Sequence, residues 1–297
     1  MTDILQNKNK ERGTKMSVEK YFALSGHPKC RSSIFEEGGP IVPITTMNQN
    51  FYKGCFYADA GWIMKPHKRD GLVKHESDEL LMFVGSDTNN PENLNAEIEI
   101  QLENDILTLK ETCFVFVPGG VAHGNIKVLS VDKPVFCYTC HLTSDSYTAV
   151  PGEATAAVGT YAGNAVYKYA PVDGKMPTAP EGFLTLLLWI DGKKLAGAPY
   201  TEAVWFNQRN ETGPAEHDHD FDEIIAFFGS DPDNPDDLGG EIEFMIEGEK
   251  FTFTKSCLVY VPRGVDHSPI MVPKHSRPIL HFSGGNGGDY KRSSGEF

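Results

Sequence analysis

Basic charge is scarce in this chain of 297 residues: 27 Lys and Arg stand against 41 Asp and Glu, a formal charge of -14. A nucleic-acid binder neutralises phosphates with a basic face, so that class of partner is excluded. Long apolar runs are also missing. None approaches the ~18 residues that cross a bilayer, so no membrane partner is expected. The opening MTDILQNKNKERGTKMS carries charge but no apolar stretch and no cleavage site. It does not read as a signal peptide, and residues 1–16 are expected to form a flexible tail. The six cysteines (Cys30, Cys55, Cys113, Cys137, Cys140, Cys257) lack the spacing of a disulfide-stapled scaffold. They read as reduced thiols, which points to a cytoplasmic protein. No stretch sustains a 3.6-residue apolar period, which argues against helices. What the chain does have is a 40% apolar fraction, enough to build cores.

The chain is a duplication. A constant offset of 144 residues aligns His75 with His219, Glu79 with Glu223, Gly85 with Gly229, Cys113 with Cys257, Gly120 with Gly264 and His123 with His267. Between 75–123 and 219–267 no gap is needed, and 22 of the 49 pairs are identical. One folding unit therefore occurs twice. Segments such as 112–117 (TCFVFV), 256–261 (SCLVYV) and 241–247 (EIEFMIE) are short, β-branched or aromatic, and punctuated by Gly, Pro, Asn and Asp. The expected class is all-β, with each copy a barrel or sandwich. The first domain is predicted over 17–150 and the second over 181–297. Between them, 151–180 reads as an Ala-, Gly- and Pro-rich linker with a strand near Val166–Tyr169. The glycine-rich C-terminus is expected to be a mobile tail.

The densest chemical signal is His217-Asp-His219-Asp-Phe221-Asp-Glu223-Ile-Ile225-Ala-Phe227. As a strand of period two, it places both imidazoles, the carboxylate and three apolar side chains on one face, with Asp218, Asp220 and Asp222 on the other. Polar groups among apolar ones are costly to bury unless they share a partner. A metal ion is the natural partner for two His and one Glu. His267, just beyond a turn, is the fourth candidate.

These residues resemble the cupin superfamily. Its first motif, H-x-H-x(3,4)-E-x(6)-G, reads His217-x-His219-x3-Glu223-x5-Gly229, one residue short before the glycine. Its second, P-x-G-x2-H-x3-N, reads Pro262-x-Gly264-x2-His267, with Met271 in place of the Asn. The resemblance covers both copies. It implies two tandem cupin barrels (double-stranded β-helix, or jelly roll), a homo-oligomer, and a metal held by His217, His219, Glu223 and His267. In the first copy Val73 stands where His217 would be, while His75, Glu79 and His123 remain. That copy is either a three-ligand second site or a hydrogen-bonded remnant. The expected cofactor is one divalent transition metal per chain (Mn, Fe, Zn or Ni), or two if the first copy binds.

Other residues carry weaker signals. His281 is either an acid/base group lining the cavity or a satisfied core histidine. Arg209 is a candidate carboxylate clamp, and Glu223 a proton acceptor as well as a ligand. His67, His141 and His275 read as surface histidines. Cys137-Tyr-Thr-Cys140-His141 matches the haem-attachment pattern but reads better as a semi-buried strand with small, soft side chains. The acidic loop 231–237 reads as a solvated turn, and the pairs Glu97/Glu99 and Glu241/Glu243 as the wet face of a strand.

A His3Glu cation keeps coordination positions free for a chelating small molecule. Three functions follow. The first is a hydrolase, lyase or isomerase that cleaves or rearranges a carbon–carbon bond of a keto/enol, β-dicarbonyl-like substrate by Lewis-acid catalysis. The second is an O2-dependent dioxygenase on a similar substrate. The third is a non-catalytic binding or storage protein.

Overall fold

The structure is a computed structural model that describes residues 18–293 except 33, 37, 175 and 292. The predicted tail, 1–16, lies outside the described residues. The described residues form twenty strands, and only residues 18 and 19 are helical. Among the described residues no helix is long and apolar enough to cross a membrane.

The first copy holds β1 (Phe22–Leu24), β2 (Ile41–Met47), β3 (Tyr57–Ile63), β4 (His67–Lys74), β5 (Glu79–Gly85), β6 (Asn93–Leu102), β7 (Asp105–Glu111), β8 (Cys113–Val117), β9 (His123–Val131) and β10 (Val135–His141). Between the copies lie β11 (Val150–Pro151) and β12 (Ala165–Val166). The second copy holds β13 (Leu184–Ile190), β14 (Tyr200–Phe206), β15 (Glu223–Gly229), β16 (Asp237–Ile246), β17 (Glu249–Lys255), β18 (Cys257–Val261), β19 (His267–His275) and β20 (Ile279–Gly285). The all-β class and the tandem jelly-roll barrels expected from the sequence are present.

Each copy is a sandwich of two antiparallel sheets. The first pairs the order β12-β8-β5-β10-β3-β2 with β11-β4-β9-β6-β7. The second pairs β1-β18-β15-β20-β14-β13 with β17-β16-β19. Period-two burial explains the layers: β6 alternates strictly between buried and part-exposed residues. Its outward Glu97 and Glu99 pair with Lys110 and Lys127, and Glu241 and Glu243 pair with Lys274 and Lys250. They are the wet faces the sequence indicated.

The two six-stranded sheets are buried on both faces. Their inner faces close the two barrel cores, around Ile98, Ile100 and Val115 in the first and Ile242, Phe244 and Val259 in the second. Their outer faces pack against each other through Trp62, Phe136, Tyr138, Trp205, Phe228 and Phe282. The Phe136 and Phe228 rings are 4.8 Å apart, and Tyr138 and Phe282 4.7 Å. The barrels also exchange short strands: β1 pairs with β18 of the second barrel, and β12 with β8 of the first. The stretch between the copies is thus partly built into the first barrel.

Two local expectations need correction, and one is borne out. Residues 217–227 are not one strand. β15 begins only at Glu223, and before it His217 makes a lone bridge to His267. The burial alternation still holds, with 217, 219, 221 and 223 buried and Asp220 exposed. The C-terminus is not a free tail, because 286–291 and Ser293 fold back onto the second barrel. The strand reading of 137–141 holds: Cys137 and Cys140 lie on opposite faces of β10, one in the first barrel and one between the sheets. Two thiols facing apart cannot both bond one haem.

Candidate metal centres

In the second barrel, His217, His219, Glu223 and His267 come from three places and are all buried. A straight strand would set residues 219 and 223 about 13 Å apart. The chain turns at 220–222 instead, and His219 Nε2 stands 3.5 Å from Glu223 Oε2. His267 Nε2 is 3.1 Å from the same oxygen. The three imidazoles also bring one nitrogen each within 4.8 Å of the others.

The glycines of the two motifs hold this arrangement. Gly264 has φ +73°, a conformation that side chains with a Cβ resist. Its N–H donates to the His219 carbonyl, so the second motif is tied to the first. Gly120 does the same for His75. At Gly229 a Cβ would meet the Asp237 carbonyl oxygen at 2.1 Å, which explains the glycine that ends the first motif.

Each imidazole is oriented by a backbone carbonyl. His217 Nδ1 donates to Ala215 O at 2.8 Å, His219 Nδ1 to Lys291 O at 2.5 Å, and His267 Nδ1 to Val265 O at 3.0 Å. A carbonyl only accepts, so Nδ1 carries a proton and Nε2 is the nitrogen turned inward toward Glu223. Burial alone would push the Glu223 carboxyl up, but the three imidazoles outweigh it and hold it below the ordinary carboxylate range. It is therefore ionised. Phe221 stacks on the His219 ring at 4.6 Å, and Ile225 and Phe227 continue the apolar wall.

The first barrel has a second cluster. His123 Nε2 stands 2.7 Å from Glu79 Oε2, His75 Nε2 3.8 Å from it, and His141 Nε2 3.7 Å from Glu79 Oε1. His75 Nδ1 donates to Thr148 O at 2.7 Å and His123 Nδ1 to Val121 O at 3.0 Å. Thr139 Oγ1 donates to Glu79 Oε1 at 2.6 Å. Burial again works against the Glu79 charge, but His123 and His141 hold its carboxyl down at about 2.

Three sequence readings change here. His141 is not a surface residue; it is buried at the end of β10 beside Glu79. His281 is buried but sits at the level of Phe227, four residues along the sheet from Glu223. Its ring lies between Phe206 and Phe227, and its Nδ1 donates to Ala226 O, so it is a satisfied core histidine. Arg209 is exposed and pairs with Glu211 at 2.8 Å, outside the cavity. The acidic loop is a turn knit by Asp231, which accepts from Asp233 N and Asn234 Nδ2.

Sequence reasoning missed two tyrosines. Tyr290 Oη lies 3.4 Å from His217 Nε2, and its ring is 4.9 Å from that of Tyr200. In the first barrel Tyr147 packs on His75 at 4.8 Å and on Tyr57 at 5.5 Å. Tyr147/Tyr290, Thr148/Lys291 and Tyr57/Tyr200 all align at an offset of 143. A one-residue shift from the main register hid the repeat.

No protein-family model matches this sequence, and no curated protein sequence matches it. Solved structures do. An oxalate decarboxylase described for its substrate binding mode and a reaction specificity switch aligns with TM-score 0.56 and 11% identity, over 90% of this chain and 81% of that one. A variant of the Bacillus subtilis oxalate decarboxylase gives 0.56 and 11%, over 84% and 74%. AerE from Microcystis aeruginosa gives 0.50 and 13%, over 90% and 98%. At such identities the likeness is one of fold. The chain has the two-domain fold of the cupin superfamily. Within that fold, the second barrel gathers His217, His219 and His267, and the first His75, Glu79 and His123, each a buried group that could hold a metal ion.

Proposed function

We propose that the protein is a metal-dependent two-domain cupin enzyme that binds a small keto/enol, β-dicarbonyl-like substrate and cleaves or rearranges one of its carbon–carbon bonds. The observation that carries the proposal is the second-barrel cluster: three imidazoles turned inward by backbone carbonyls around one ionised carboxylate. Donors on one cation stand no further apart than about twice a ~2.1 Å bond. The separations of 3.1 and 3.5 Å from Glu223 meet that limit. Imidazole with carboxylate suits Mn, Fe, Zn or Ni. A bound divalent cation supplies Lewis-acid polarisation of a chelating oxygen.

The chain's own residues supply the rest. His217, His219, Glu223 and His267 hold the cation. Phe221, Ile225 and Phe227 exclude water, which strengthens every charge interaction at the cluster. Tyr290 places a hydroxyl at His217, where it gives or takes the proton that bond cleavage requires. Chemistry on a small dicarboxylate in fold neighbours named oxalate decarboxylase supports the substrate class. Six buried free thiols suit a cytoplasmic setting.

Turnover of a β-diketone and keto-acid panel by metal-loaded protein under argon tests the reading. Anoxic turnover is expected. Turnover that appears only with stoichiometric oxygen uptake would assign the protein to the dioxygenases instead.

A further inference from the structure

The first barrel lacks the imidazole that begins the first motif, and Val73 occupies its place on β4. We infer that His141, entering from the end of β10, replaces it, so that His75, Glu79, His123 and His141 form a second complete His3Glu cation site. This rests on reading the duplicated motif as a metal site.

Two buried atoms, His75 Nε2 and His141 Nε2, have no hydrogen-bond partner. Both lie within 4 Å of the Glu79 carboxylate, and the two rings are 4.6 Å apart. An unpaired buried nitrogen is costly, and two converging on one carboxylate call for a shared partner. The far side of the His141 ring has a hydroxyl in place of the backbone carbonyl that anchors the other ligands: Nδ1 is 2.8 Å from Ser77 Oγ, which can accept its proton. That leaves Nε2 for the cation.

Three differences between the copies fit together. The counterpart of His141 is Gly285, where a Cβ would meet the Phe221 ring at 2.3 Å. Phe221 therefore closes that position in the second barrel. Its own counterpart in the first barrel is Ser77, small enough to admit the His141 ring and polar enough to orient it. Val73 for His217, Ser77 for Phe221 and His141 for Gly285 together move one imidazole to another side of the carboxylate. A decaying remnant would lose a ligand. It would not acquire a buried imidazole with its own anchor.

The test is cobalt loading of the full chain under argon, followed by desalting, elemental analysis and visible absorption. Wild type should retain two equivalents. His141→Ala and His141→Gln should each retain one, as should His267→Ala, and the His141→Ala/His267→Ala double variant none. His141→Cys should add a thiolate-to-cobalt charge-transfer band that wild type lacks, a signal no structural role produces; this decides the matter if the alanine variant does not fold. Two equivalents in His141→Ala, or a cobalt-loaded His141→Cys without the band, would overturn the inference. One equivalent in wild type that disappears with His267→Ala also overturns it and leaves the proposed function standing. One equivalent that disappears only with His141→Ala upholds the inference and removes the second-barrel reading. No retained cobalt overturns both.

Discussion

An imidazole turned by a carbonyl is the repeated residue-scale device here. Five of the ring nitrogens at the two clusters donate to backbone oxygens, so the fold fixes the tautomer before any ion arrives. His219→Ala or Glu223→Ala should abolish second-barrel metal and turnover together, as elemental analysis beside an activity assay will show. A full equivalent retained in that barrel by both variants would falsify the ligand assignment. Tyr290→Phe should keep its metal and lose roughly 100-fold in kcat, the usual scale of a lost acid/base group; unchanged kcat would remove Tyr290 from proton transfer. The His-x-His and Glu spacing was legible in the sequence because those ligands are local. His141 was not, because 66 residues of sequence separate it from His75 and only strand pairing puts it beside Glu79.

At the scale of elements, two short segments outside the main sheets support the second barrel. Phe22 of β1 is buried in the second barrel, its ring 4.2 Å from Phe251 and 5.7 Å from Phe253. Phe22→Ala should cost about 3–5 kcal/mol in urea unfolding, the range for an aromatic removed from a core. A change below 1 kcal/mol would mean that β1 is dispensable. The segment after β20 brings Lys291 O to His219 and Tyr290 to His217. Truncation after Gly285 should weaken second-barrel metal affinity about 10–100-fold, the cost of losing a supporting contact, and competition with a chelator will measure it. The strands themselves were readable from β-branched and aromatic runs. The break before Glu223 was not, because burial alternates through the turn as it would along a strand.

The whole molecule is held by the two sheets packed back to back. Trp62, Trp205, Phe136, Phe228 and Phe282 are fully buried only because both copies are present. The second copy alone (181–297) would expose that face and also lack β1. It should aggregate or bind a hydrophobic dye, whereas the intact chain should unfold in one calorimetric transition; a soluble, dye-negative second copy would show that the interface contributes little. The duplication, the β class and the paired motifs followed from sequence alone, since periodicity and spacing record local geometry. The strand exchange, the tyrosines over each cluster and the position of His141 came only from the tertiary structure, because each depends on which distant strands lie side by side.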